Sequence, residues 1–136
     1  MNDRIIDLIV ELKKKCAVKE EDIQQEFDLS QAEYRGVVTI DADEKIACSE
    51  FSQRMNLSPS RGSRIIEKMI DKGFINYGNV PSDRRTHLIS LTPKGRRVKR
   101  KVDQKKDECE QAIRDHYSDT QIDALKKSLS MLVGAL

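Results

Sequence analysis

The stretch SEFSQRMNLSPSRGSRIIEKMIDKG, residues 49–73, decides the fold because it holds two short helical patterns with almost no chain between them. Ser49 is a residue type that caps helix N-termini, and Asn56 is a type that tolerates the left-handed conformation in which many helices end. A second helix is predicted to begin with Ser58 as N-cap and Pro59 at the first helical position, where its missing N–H costs nothing. Residues 56–58 are therefore the tight connection of a helix-turn-helix.

The second of these helices has two chemically different faces. At about 100° per residue, apolar side chains gather on one side, whereas cations and hydroxyls gather on the other. The polar face is either a solvated surface or a recognition helix that reads base edges in a major groove, and its place after the turn favours the second reading. The apolar face comprises Ile65, Ile66, Met69 and Ile70, and the polar face comprises Ser60, Arg61, Ser63, Arg64 and Lys68, with Ser58 at the start of the helix.

The first helix is predicted to turn Phe51, Ser52 and Met55 inward, against the second. Gly62 lies on the inner side of the second helix, where a glycine costs about 1 kcal/mol of helix stability. Its presence there predicts that the two helices approach each other closely. Gly73 then ends the second helix.

A hairpin is predicted directly after Gly73. Residues 74–77 have the pattern of one strand and residues 87–91 that of its partner. Thr92 is the predicted N-cap of a further helix, with Pro93 as its first residue. A hairpin that follows a helix-turn-helix is a wing, and this wing carries two adjacent guanidinium groups. Its predicted loop contains Pro81, Ser82, Asp83, Arg84 and Arg85.

Charge is distributed unevenly along the chain. The 136 residues have a net charge of +2, but residues 54–106 hold 15 lysines and arginines against four carboxylates, a net charge of +11. The remainder of the chain therefore has a net charge of −9. Such a division is expected if one face of the molecule meets a polyanion, although basic runs such as residues 96–101 also keep helices soluble.

Residues 30–97 resemble the DNA-binding core of the MarR family of bacterial and archaeal transcription regulators. The resemblance is carried by KGFI at residues 72–75, by Asp83 and Arg85 as the D-x-R of the wing, and by LTPKG at residues 91–95. It implies a regulator, in this case a repressor, that binds a pseudo-palindromic operator in double-stranded DNA as a homodimer. It further implies release by a small-molecule effector or an oxidant.

The resemblance also implies roles for the wing. In this family the wing arginine enters the minor groove and the aspartate orients it by a salt bridge, which gives these roles to Arg85 and Asp83, with Arg84 beside them. Gly62 and Ser52 depart from the family pattern, and this departure suggests looser packing between the two helices of the motif.

Apolar stripes near both ends of the chain predict a dimer. Ser118 and Gln121 form a capping box, as Ser30 and Glu33 do before an earlier helix. The alternative is that a stripe packs against the core of its own chain. A chain of this size, however, has little core of its own with which to cover both stripes. A twofold dimer would present two recognition helices and two wings to DNA. The dimerisation stripes comprise Ile5, Leu8, Ile9 and Leu12 near the N-terminus, and Ile122, Leu125, Leu129, Leu132 and Leu136 near the C-terminus.

No residue set typical of catalysis or metal binding is found in the sequence. His87 and His116 lack neighbours that would form a triad or a metal site, so we expect no enzyme, no cofactor and no metal. Three cysteines without paired spacing indicate structural thiols. Cys16 is the candidate redox sensor, because some members of the resembled family use a thiol in their N-terminal helices, whereas Cys48 and Cys109 are weaker candidates.

The chain has no apolar run near the roughly 18 residues that span a bilayer, and its beginning lacks a cleavable-signal pattern, which predicts a cytoplasmic protein without a membrane partner. The predicted fold is mainly α with a small β-hairpin, in one domain of residues 1–136. Residues 30–97 form a winged helix-turn-helix DNA-binding lobe, flanked by dimerisation helices in residues 1–29 and 98–136. The alternative function is a winged-helix protein-interaction module without sequence-specific DNA binding, because this fold is used both ways.

Overall fold

The computed structural model describes residues 4–80 and 83–136, and the side chains of residues 79, 80 and 83–86 also lie outside the description. The fold class predicted from the sequence is confirmed, since the described residues are mainly helical with a small antiparallel sheet. Within the described residues the elements are α1 (Ile5–Phe27), α2 (Gln31–Thr39), β1 (Ile46–Ala47), α3 (Cys48–Arg54), α4 (Pro59–Asp71), β2 (Ile75–Val80), β3 (Asp83–Leu91), α5 (Pro93–His116) and α6 (Asp119–Ala135).

The helix-turn-helix is formed by α3 and α4. Asn56 has a left-handed backbone (φ 55°), and Ser58 caps α4 by accepting the backbone N–H of Arg61, both as predicted. The prediction that Ser49 caps α3 is wrong. Ala47 occupies the N-cap position without a side-chain hydrogen bond, because the strand pairing of residues 46 and 47 places the start of the helix at Cys48.

The wing belongs to a three-stranded sheet in the order β1-β3-β2, and not to a hairpin alone. β1 pairs antiparallel with β3 through Ile46 and Ile89. β2 and β3 are longer than predicted, since β3 begins at Asp83 and so includes residues that the sequence placed in the loop. Pairing of Asp83 with Val80, after an irregularity in register, gives these backbone groups partners that a free loop would leave to water.

The LTPKG segment, residues 91–95, connects the end of the wing to the end of α4 through hydrogen bonds. Thr92 accepts the N–H of Gly95 (3.2 Å) and donates its hydroxyl to the carbonyl of Gly73 (2.6 Å), as expected of the predicted N-cap. A Cβ on Gly95 would overlap the carbonyl oxygen of Phe74, so only glycine permits this approach. Gly73 has φ 81° and ends α4 as predicted.

Two compact units are present, Met1–Val102 and Asp103–Leu136. The first contains the main core, and the second contains α6, which begins with the predicted capping box of Ser118 and Gln121. The division of the chain into a DNA-binding lobe and dimerisation helices stays a prediction. No helix among the described residues is both long and apolar enough to cross a membrane. The fully buried side chains of the core include Phe51, Phe74, Met69, Ile89, Val37 and Val98.

Candidate nucleic-acid interface

The outer face of α4 is an exposed set of cations and hydroxyls. Arg61, Arg64 and Lys68 are exposed, and among the residues that the structure describes none of their side chains makes a hydrogen bond or ion pair. Ser60 and Ser63 are exposed beside them, and the hydroxyl of Ser60 lies 3.3 Å from that of Ser58. The face therefore offers donors of the kinds that bind phosphates and base edges.

The inner face of α4 is buried as predicted. Ile66 and Met69 are buried, and Ile65 and Ile70 pack partly buried against the same core. From α3, Phe51, Ser52 and Met55 are all buried. The two faces of α4 are thus separated in the way that a recognition helix requires: one holds the helix on the protein while the other remains open.

Contact between α3 and α4 is close, and the suggestion of loose packing is wrong. A Cβ placed on Gly62 would overlap Oγ of Ser52 and lie 2.9 Å from its Cβ. The Ser52 hydroxyl donates to the carbonyl of Cys48 (3.2 Å), which holds this side chain in place. A small residue on each helix is what allows the two backbones to approach.

Gly62→Ala should lower the free energy of unfolding by about 1–3 kcal/mol, because the added methyl group overpacks the contact with Ser52. Urea unfolding followed by circular dichroism measures this change. Gly134→Ala in α6 is the matched control, since a Cβ there meets nothing within 4 Å and alanine favours a helix. Equal stability of the two variants would contradict the close contact.

Several cations of the basic segment bind the protein itself. The Arg54 guanidinium pairs with Glu44 and Glu50 and donates to the carbonyl of Thr39. Lys99 donates to the carbonyls of residues 38 and 40 at the end of α2. Lys94 donates to the carbonyl of Lys72 (2.8 Å) and lies 4.5 Å from the ring centroid of Phe74. The excess charge of residues 54–106 thus overstates the cations available to DNA.

The wing residues Asp83, Arg84 and Arg85 belong to β3, but their side chains lie outside the described residues, so their roles stay predictions. At the base of the wing, the rings of Tyr77 and His87 stack with centroids 4.8 Å apart. His87 is half-buried. The stack stiffens the hairpin.

The apolar stripes of α1 and α6 remain largely exposed in the single chain. Ile5 and Leu12 are 64% and 56% exposed, and Leu125 and Leu129 are 40% and 50% exposed. Leu8 is exposed, and Ile9 and Leu132 are half-buried. Ile122 is 5% exposed, so it is already covered within its own chain. Ile122 therefore has little surface left for a partner, and the other members of the stripes carry the prediction of a dimer.

The cysteines differ in their surroundings. Cys16 is exposed on α1, whereas Cys48 and Cys109 are half-buried. Burial raises the pKa of the Cys48 thiol, which disfavours the reactive thiolate. Across residues 4–80 and 83–136, no group of three or more His, Cys, Asp or Glu side chains is arranged to hold a metal ion.

A helix-turn-helix followed by a packed hairpin defines a winged helix-turn-helix protein. Residues 29–87 match the model of the MarR family, which confirms the resemblance seen in the sequence. Members of the matched family are transcription regulators. No curated protein sequence matches the chain significantly.

Solved structures share the fold over nearly the whole chain. The crystal structure of Streptococcus pneumoniae FabT in complex with DNA is 21% identical, covers 96% of this chain and 94% of that one, and has a TM-score of 0.84. RV1404 from Mycobacterium tuberculosis is 20% identical, with coverages of 99% and 97% and a TM-score of 0.80. The S. aureus MepR F27L mutant bound to oligodeoxyribonucleotide is 14% identical, covers 98% of this chain and 99% of that one, and has a TM-score of 0.73. At these identities the similarity establishes the fold.

Proposed function

We propose that the protein is a sequence-specific transcriptional regulator, acting as a repressor, that binds a pseudo-palindromic operator in double-stranded DNA as a homodimer. The observation that carries this proposal is the outer face of α4. Three exposed cations lie there without a partner among the described residues, on the second helix of a helix-turn-helix whose inner face packs on the core. Such a helix fits a major groove, where arginine donates to guanine and hydroxyls bond to either kind of base.

The wing and the family support the same conclusion. Arg84 and Arg85 lie in β3, at the end of the sheet that packs against α4. We propose that Arg85 enters the minor groove and that Asp83 orients it. Two of the similar folds, FabT and the MepR mutant, were solved with DNA, which is consistent with a DNA-binding role for this chain.

A homodimer is part of this proposal because the stripes on α1 and α6 would otherwise leave large apolar side chains in water. Two copies related by a twofold axis would place two recognition helices on one pseudo-palindrome. A cytoplasmic location completes the proposal, together with release by a small effector or by oxidation at Cys16, which rests on the resemblance to the family.

Salt dependence tests the DNA-binding role. If the three α4 cations and the two wing arginines of each subunit neutralise six to ten phosphates in total, log affinity should fall with log salt at a slope of about −5 to −9. Fluorescence anisotropy on a labelled duplex measures the slope. Lys68→Gln should reduce its magnitude by roughly 0.9 per subunit, whereas Lys94→Gln should leave it unchanged, since Lys94 binds a carbonyl of its own chain.

A nearly flat salt dependence would contradict the proposal and favour the alternative of a protein-interaction module. Equal effects of Lys68→Gln and Lys94→Gln would show that the basic segment acts as a general cationic surface. Both variants remove one positive charge. The comparison therefore distinguishes an effect of the position of the lysine from an effect of net charge.

A further inference from the structure

The ammonium group of Lys72 lies where three helices meet. Lys72 is the C-cap residue of α4, and its Nζ donates to the carboxylate of Glu33 (2.6 Å) and to the carbonyl of Asp28 (2.6 Å). Asp28 is the left-handed residue that ends α1, and Glu33 lies in the first turn of α2. One side chain therefore ties the end of the recognition helix to the junction of α1 and α2.

Glu33 is a buried carboxylate that holds this lysine in place. It is 2% exposed, and its carboxylate also accepts the hydroxyl of Ser30 (3.0 Å) as part of the capping box of α2. Burial by itself would raise the pKa of this carboxyl, but the hydrogen bonds from Lys72 and Ser30 outweigh burial and hold the pKa below its ordinary value of 4.5. The charged pair is thus intact at neutral pH, and its stabilising effect is lost only as pH falls through that lowered pKa.

Lys94 fixes the same end of α4 from the other side. Its ammonium donates to the carbonyl of Lys72 while its side chain lies over Phe74, the residue that leads into β2. Together with the contact of Gly62 and Ser52 near the start of α4, these bonds hold the recognition helix at both ends. The outer face of a helix held in this way points in one fixed direction.

We propose that Lys72 is a positioning residue for DNA recognition, which fixes the recognition helix to the junction of α1 and α2 through Glu33 and the carbonyl of Asp28. The inference rests on the proposed DNA-binding function. Lys72 touches no DNA in this account. Its effect is to align Arg61 and Arg64 with base edges, and its bond to the end of α1 transfers any displacement of that helix to the recognition helix.

Lys72→Met tests the proposal, since methionine preserves much of the side-chain volume but cannot donate. Binding affinity is measured for two duplexes of equal length, one selected by the wild-type protein from a random pool and one unrelated to it. The measurements are made well below the unfolding temperature. Affinity for the selected duplex should fall about tenfold to a hundredfold, the loss expected when base contacts are misaligned, while affinity for the unrelated duplex changes little. The salt slope should stay at the wild-type value, because no phosphate contact is removed.

Further variants keep the test independent of folding. Lys72→Arg retains a cation and should recover most of the specificity. Glu33→Gln removes the charge of the carboxylate that binds Lys72 but leaves the carbonyl of Asp28 as an acceptor. It should therefore lower specificity by a smaller factor. This variant provides the test if Lys72→Met does not fold. Lys126→Met, which removes an exposed lysine of α6, should bind both duplexes like the wild type.

Two outcomes would overturn the positioning role. One is a salt slope reduced by roughly 0.9 per subunit in Lys72→Met, which would make Lys72 a phosphate contact. The other is unchanged discrimination between the two duplexes with only a lower unfolding temperature, which would make the pair a stabilising contact alone. If the wild-type protein selects no duplex, the proposed function itself fails, a result that differs from both.

Discussion

Replacing Leu125 and Leu129 together by glutamate should convert the protein into a monomer and abolish operator binding. The two side chains are 40% and 50% exposed in the single chain, so each retains about half of its surface for a partner. Each leucine contributes roughly 1 kcal/mol of burial free energy, and the dimer has four such sites, so about 4 kcal/mol is lost in total. This loss weakens association about a thousandfold, before the cost of burying the new charges is included. One half-site alone contributes too little affinity to hold a monomer on DNA.

Sedimentation at micromolar concentration and DNA anisotropy should be measured on the same samples. The control is Lys127→Gln with Ser130→Glu, which changes the charge by the same amount on the opposite side of α6 and should leave the dimer intact. A monomeric wild-type protein, or a doubly substituted variant that still sediments as a dimer, would contradict the assignment of α6 to the interface.

Arg85→Ala should cost about 1–3 kcal/mol of binding free energy per subunit, or roughly fivefold to 150-fold in affinity for each of the two subunits. The reason is that an arginine in a narrow A·T-rich minor groove lies in strongly negative potential. Asp83→Ala should weaken binding as well, although it removes a negative charge from a surface proposed to face phosphates, because the role proposed for Asp83 is to restrain the guanidinium by a charge-assisted hydrogen bond.

The aspartate variant is the discriminating one. Simple electrostatics predicts that loss of Asp83 strengthens binding, whereas orientation of Arg85 predicts that it weakens binding. Tighter binding by Asp83→Ala with an intact fold would mean that the wing acts as a plain cationic patch. Arg64→Ala on the recognition helix is the comparison, and it should change which sequences are preferred, as expected of a base-edge contact.

Features encoded by neighbouring residues were predictable from the sequence. The bounds of α4 follow from Ser58, Pro59 and Gly73, each of which acts on the backbone within one turn. The separation of its faces follows from helical periodicity alone. β1 was missed because it has two residues, too few for a pattern, and exists only through pairing with β3 about 40 residues later. The start of α3 was misplaced for the same reason.

In the candidate site, too, contacts between residues distant in the chain were not predictable from the sequence. The exposed cations of α4 were predicted from periodicity, but the fate of the other basic residues depends on partners far away in the chain. Glu33 precedes Lys72 by 39 residues, and Lys99 binds carbonyls about 60 residues earlier. Ile122 fits the spacing of a dimer stripe and is nevertheless buried in its own chain. Spacing places residues on one face but does not reveal what covers that face.

Selection of bound duplexes from a random DNA pool tests whether this protein recognises a specific DNA sequence. We expect enrichment of one inverted repeat, with half-sites about one helical turn apart and A·T-rich positions where the wings reach the minor groove. Titration of the enriched duplex should show binding at least about a thousandfold tighter than to unrelated DNA. A pool that remains random after repeated selection, with equal affinity for every duplex, would contradict sequence-specific recognition by this protein.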